Sequence, residues 1–213
     1  MEPKSLDHVA LWVADRNAVA ETLLDRLDIH VIDKQDNFTL LGADARRFKL
    51  TLFDAEGPRD PASFIHVALR VNKLDGGLPV TFSAGEGLRI VLVETETERD
   101  YDLDHIALKT LDPRVTAAEY ERFGFAPAGS GRVRVADAEI RFEIGVPGET
   151  ERPLLNHLAV LVDSVDEVLA DAEDLGIEVD SVVDAANTFA AFLGGPDGVR
   201  IEYVEHKPSF SLR

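Results

Sequence analysis

The chain has no cysteine, which excludes disulfides and thiolate chemistry. It has no apolar run near the roughly 20 residues that cross a bilayer. Its opening, Met1-Glu2-Pro3-Lys4-Ser5, lacks the apolar segment of a signal peptide. Lysine is scarce, with six among 22 bases, and 40 acids leave a net charge of −18. Such a surface repels nucleic acid and anionic lipid. The acids are dispersed and not gathered in a tail, which fits a folded surface better than a disordered segment. The expectation is a soluble, cytoplasmic protein that binds neither nucleic acid nor membrane.

What is present is a repeat. The 213 residues are 45% hydrophobic, enough for one large domain or two small ones with real cores. One short pattern occurs four times: Leu6-Asp7-His8-Val9-Ala10-Leu11, Phe64-Ile65-His66-Val67-Ala68-Leu69, Leu103-Asp104-His105-Ile106-Ala107-Leu108 and Leu155-Asn156-His157-Leu158-Ala159-Val160. Each reads as a buried strand with a histidine near its start. One buried histidine is usually a satisfied core residue. Four in register point to a repeated unit.

The elements after each histidine also repeat. Asp15 can cap a helix running to about Leu27, with strands expected near 29–33, 38–42 and 46–53. Asp112-Pro113 is a cap followed by a first-turn proline, Gly124 is a stop, and strands fit 125–128, 131–135 and 138–145. Ser164 and Glu167 form a capping box, Gly176 ends that helix, and strands fit 177–182, 188–194 and 199–205. The second unit is degenerate. Asn72 to Pro79 is too short and glycine-rich for a helix, so a loop and a hairpin across Gly85-Glu86-Gly87 are expected. The fold class is α+β: four tandem βαβββ modules forming two curved mixed β-sheet half-barrels. The charged stretch Glu94 to Asp102 reads as a linker between an N-terminal domain (1–97) and a C-terminal domain (101–207).

In the last strand, Glu202 places a carboxylate in an alternating run, which calls for a partner or a task. Four modules opened by His8, His66, His105 and His157 resemble the vicinal oxygen chelate superfamily, which includes glyoxalase I, bleomycin-resistance proteins and type I extradiol dioxygenases. The resemblance covers residues 6 to 205. With four modules in one chain it is closest to the dioxygenases, and it implies a metal held by His105, His157 and Glu202 in the second half. Two imidazoles and one carboxylate leave positions open for substrate and oxygen. Fe(II) is the favoured divalent ion, with Mn(II) or Zn(II) able to take the same ligands. The first half offers Thr51 and Val91 where Glu202 stands. Its His8 and His66 are therefore expected to be structural, and no metal is expected there. His30 and His206 fit no constellation.

The chain also departs from the dioxygenases. Phe192 stands at their tyrosine position and Gly195 at their acidic one. No histidine lies between 158 and 205, or between 143 and 156. Ordinary ring cleavage then lacks its proton-transfer groups. In the strand 138–144, Glu139, Arg141 and Glu143 are expected to face the cavity of Glu202. Glu143 is the candidate fourth ligand or base, and Arg141 and Phe192 the candidate substrate contacts. The expected function is a metal-dependent, dioxygenase-like enzyme acting on a small oxygen-chelating substrate. The alternatives are a glyoxalase-type lyase or isomerase using Glu143, and a non-catalytic resistance-type binding protein. A homo-oligomer remains open.

Overall fold

The computed structural model describes residues 1–74, 79–148 and 150–210. The first module is β1 (Ser5–Val13), α1 (Arg16–Arg26), β2 (His30–Lys34), β3 (Phe38–Gly42) and β4 (Lys49–Asp54). The second is β5 (Phe64–Val71), β6 (Val80–Gly85) and β7 (Leu88–Glu94), with the expected hairpin at Glu86. Residues 75–78 of its expected loop lie outside the described residues. The third is β8 (Asp102–Thr110), α2 (Pro113–Glu121), β9 (Ala126–Pro127), β10 (Arg132–Val135) and β11 (Ala138–Ile144). The fourth is β12 (Leu155–Leu161), α3 (Val165–Leu175), β13 (Val179–Asp184), β14 (Thr188–Gly194) and β15 (Arg200–His206).

The helices begin where short polar side chains can accept orphan backbone N–H groups. Asp15 accepts from Ala18, Asp112 from Arg114 and Val115, and Ser164 from Glu167. At the other end of α3, Gly176 takes the left-handed conformation (φ 64°) that glycine adopts without a Cβ clash.

The strands form two mixed sheets. One runs β13-β14-β15-β12-β1-β4-β3-β2 and the other β6-β7-β5-β8-β11-β10-β9. Neither closes into a barrel. The first sheet is built from modules one and four, and the second from modules two and three. The expected division into 1–97 and 101–207 therefore does not describe the sheets, because each one draws strands from both stretches. The reason is local. β7 runs parallel to β5 and β8 runs antiparallel to it, so residues 95–101 need only cross the end of β5. They are held there by Thr95 N–H to the Val71 carbonyl (3.0 Å) and Tyr101 N–H to the Arg70 carbonyl (2.7 Å). Asp100 accepts from the Asn72 N–H (2.7 Å), and Arg47 pairs with Glu98 and Asp102. The segment is a pinned connector, not an interdomain linker.

Alternation sorts each strand by face. In β1, Val9, Leu11 and Val13 are fully buried and join a core that continues through both sheets. On β12, Leu158 and Val160 do the same, as do Ile201 and Tyr203 on β15. The opposite faces of these strands carry His8, His157 and Glu202. The Tyr203 hydroxyl donates to the Phe123 carbonyl (2.7 Å), which ties the last strand to the end of the third module's helix. Tyr203→Phe leaves that buried carbonyl without its donor. It should cost about 1–3 kcal/mol in urea unfolding, with the metal content of the purified protein unchanged.

Candidate metal centre

The centre forms where β1 meets β12. These strands run antiparallel, with His8 opposite Ala159 and Ala10 opposite His157. Each imidazole thus faces a methyl group, and this leaves room for the two rings to meet. The Nε2 atoms of His8 and His157 stand 3.0 Å apart. Glu202 enters from the neighbouring β15, opposite Ala159. Its Oε2 lies 3.0 Å from His157 Nε2 and 3.2 Å from His8 Nε2. Among the described residues these three are the cluster of His, Asp or Glu whose donor atoms all converge.

The structure therefore brings together two of the three expected ligands, His157 and Glu202. The third member of the cluster is His8, and His105 is not part of it. His105 lies on the other sheet, where its Nε2 is 3.0 Å from His66 Nε2. The expectation paired neighbouring modules, whereas the short connector before β8 pairs module two with three and leaves module one for module four. Glu143 does not share the cavity either. It is exposed on β11, in register with Lys109 of the second sheet. Arg141 is likewise on the second sheet.

The hydrogen bonds behind the ligands fix their tautomers. His8 Nδ1 donates to Asp7 (2.9 Å) and His157 Nδ1 donates to the Asn156 side-chain oxygen (3.1 Å). Asp7 is itself paired with the buried Lys49 ammonium at 2.8 Å. With both Nδ1 protons committed, both Nε2 atoms of the neutral rings present lone pairs. They do so toward the buried carboxylate oxygen Oε2, which among the described residues has no polar neighbour besides these two imidazoles. Two lone pairs and an anionic oxygen converging within about 3 Å repel one another unless a cation or a proton sits among them. Adjacent positions around an ion with bonds of about 2.0–2.2 Å are also separated by about 3 Å. The donor set and its spacing fit a divalent ion held by His8, His157 and Glu202.

Electrostatics gives the same result. Burial opposes the charge on His8, but Asp7 and Glu202 outweigh it and push its pKa up to about 9. Burial would raise the Glu202 pKa, but His157 and His8 hold it far below the usual carboxylate range. Burial pulls His157 down against the pull of Glu202. Without metal, a proton on His8 takes the cation's place.

Above the centre is a cavity of about 310 Å³, at the small end of the ligand-site range of about 300–1,000 Å³. Phe38, Phe53, Phe192 and Val183 supply apolar walls, and Thr51 and His206 are among the polar groups. The ring of Phe192 packs edge-on to His157 with centroids 5.2 Å apart, under the Arg200 guanidinium at 4.2 Å. Phe192 thus lines the cavity beside His157. His206 was not expected in the site. It faces the cavity because it lies two alternations beyond Glu202 on β15, and Phe210 stacks on its ring at 3.6 Å.

The second sheet repeats the joint without the centre. His66 stands opposite Ala107 and Ala68 opposite His105. The position that matches Glu202 is occupied by Arg141, opposite Ala107. Its guanidinium approaches His105 Nε2 at 3.5 Å and pairs with Glu139 at 2.7 Å and Asp104 at 3.4 Å. Burial, His105, Arg89 and Arg141 push the His66 pKa down to about 4. An arginine cannot ligate a metal.

Two sheets, each two modules joined back to back at histidine-bearing strands, with a two-histidine, one-carboxylate cluster in one cavity, define a metal-centre scaffold of the vicinal oxygen chelate type. The family model described as Glyoxalase/Bleomycin resistance protein/Dioxygenase superfamily matches residues 5–203, and the chain belongs to that superfamily. It is similar in fold to glyoxalase I from Zea mays (TM-score 0.72, 16% identity, 94% of this chain and 92% of that chain). It is also similar to the cppA protein from Streptococcus pneumoniae TIGR4 (TM-score 0.64, 12% identity, 96% and 100%). No curated protein matches the chain.

His8→Ala, His157→Ala and Glu202→Ala should each abolish stoichiometric metal in elemental analysis, whereas His66→Ala and His105→Ala should leave it intact. Because the ion must displace the proton on His8, whose pKa is about 9, Zn(II) uptake at pH 7 should release about one proton. The release should fade as pH rises through 9 and the metal-free ring loses its proton unaided. Indicator-dye titration in weak buffer measures it.

Proposed function

We propose that this protein is a metal-dependent enzyme acting on a small substrate that chelates the ion through two neighbouring oxygens and lays an apolar body against Phe38, Phe53 and Phe192. The observation that carries the reading is the convergence of His8, His157 and a buried Glu202 oxygen at one end of a half-open, mostly apolar cavity. A divalent ion on such a set supplies Lewis acidity and, as Fe(II), oxygen chemistry with positions left open for substrate. Fe(II) is the favoured occupant, with Mn(II) and Zn(II) able to use the same donors.

The protein's own groups divide the remaining work. Asp7 and Asn156 keep both imidazoles in the ligating tautomer. The phenylalanine walls exclude water from the substrate body. His206 takes the substrate's proton. Among the described residues its ring makes no hydrogen bond; it is 3.6 Å from Asp7, and burial lowers its pKa, which favours the neutral form that can accept a proton. The isomerase alternative relied on Glu143 as its base, and Glu143 is exposed on the other sheet. The two-histidine, one-carboxylate set favours the dioxygenase-like reading over it.

The test is anaerobic loading with Fe(II), addition of a catechol panel, then oxygen, followed by oxygen uptake and the yellow ring-cleavage product. Apolar-substituted catechols should be turned over faster than unsubstituted catechol, because Phe38, Phe53, Phe192 and Val183 give an apolar substituent a surface to pack on. Loss of His206 as Asn should slow turnover by about 10²–10⁴-fold. Oxygen uptake that survives Glu202→Ala would overturn the reading.

A further inference from the structure

The cavity holds a second orphaned polar group besides the Glu202 oxygen. Thr51 is 4% exposed, lines the cavity, and its hydroxyl makes no hydrogen bond among the described residues. Thr39 also carries an unpartnered buried hydroxyl, but it points to the other face of β3 and does not line the cavity. A buried hydroxyl without a partner is unfavourable. Valine has nearly the same shape and would fill the place without that cost. The hydroxyl is thus poised for something the folded chain does not itself supply.

Its register says what. Thr51 stands opposite Ala10 on the parallel pair β1–β4. Glu202 stands opposite Ala159 on the parallel pair β12–β15. Ala10 and Ala159 are the two methyl positions that face the imidazoles across the β1–β12 joint. Thr51 and Glu202 are therefore counterparts on either side of the two histidines. A carboxylate at residue 51 would be a fourth donor to the same ion. A threonine hydroxyl is too short and too weakly basic for that role, and it keeps the centre one positive charge richer than a four-donor set.

Resting on the metal-centre reading above, we propose that Thr51 is the specificity-determining residue of this cavity: its hydroxyl hydrogen-bonds an oxygen of the chelating substrate. The hydroxyl can donate to an anionic oxygen and accept from one that keeps its hydrogen. Together with the extra positive charge, it selects anionic chelators with two adjacent oxygens, such as catecholates and hydroxamates. It selects against neutral ligands with a single donor.

The test uses Zn(II), which is redox-inert, and 4-nitrocatechol as a chromophoric chelator. Zinc affinity and 4-nitrocatechol affinity are measured for wild type, T51V, T51S and T51E. T51V should bind zinc as wild type does, which also reports an intact centre, and bind 4-nitrocatechol about tenfold more weakly. T51S should recover most of that loss. T51E should bind zinc more tightly and 4-nitrocatechol at least tenfold more weakly. Equal 4-nitrocatechol affinity in zinc-loaded T51V and wild type overturns the role of Thr51 and leaves the metal centre standing. Failure of wild type to bind zinc overturns both.

Discussion

The antiparallel joint of β1 with β12 is the constraint on which the rest depends. It sets His8-Val9-Ala10 against His157-Leu158-Ala159 in opposite directions, so that each imidazole is met by a methyl group. The valine and leucine between them point to the core and are fully buried. One three-residue pattern thus serves both faces of the sheet. Its middle residue helps hold the sheet on the core, its first supplies an imidazole to the cluster, and its third makes space for the partner's imidazole. Replacing either alanine by a larger residue would push the facing ring off its rotamer without touching a ligand.

The same joint occurs at β5 and β8, and the comparison separates what the fold requires from what the site requires. The His-x-Ala pairing survives there, so it is a feature of how modules join. What is lost is the carboxylate. Arg141 occupies its position and brings a fixed positive charge to the two histidines, and Asp104 and Glu139 balance that charge. The guanidinium supplies from within the protein the positive charge that a divalent ion would supply in the other sheet.

Much of this was legible in the chain. The four histidine strands, the caps at Asp15, Asp112 and Ser164, the degenerate second module and the inward face of Glu202 all follow from local rules: periodicity, capping and turn chemistry. The pairing of modules does not follow, because the rule that consecutive units share a sheet fails for the first and fourth modules. That rule makes His105 a ligand and His8 a structural residue, and it sends Glu143 to the wrong cavity. The residue before the histidine does not separate the two, because Asp104 holds His105 Nδ1 as Asp7 holds His8 Nδ1. One signal points the other way: the third module's last strand carries Arg141 at the position that Glu202 has in the fourth. His206 was read as tail because its strand was ended one residue early.

The topology has a consequence for stability that the local rules do not show. The cluster joins residue 8 to residues 157 and 202, so an ion there closes nearly the whole chain into a loop. Long loops are the ones whose closure costs the most conformational entropy. The fold already makes that closure through β1 and β12, supported by the Lys4 N–H to Leu161 carbonyl bond at 2.8 Å and the pairing of the N-terminus with Asp171. It does so with a buried carboxylate and two imidazoles held together, an arrangement that is unfavourable without a cation. An ion that bound this arrangement and not the unfolded chain would stabilise that long-range junction. The first and fourth modules then depend on each other through the centre, and the second and third do not, since Arg141 completes their joint without help.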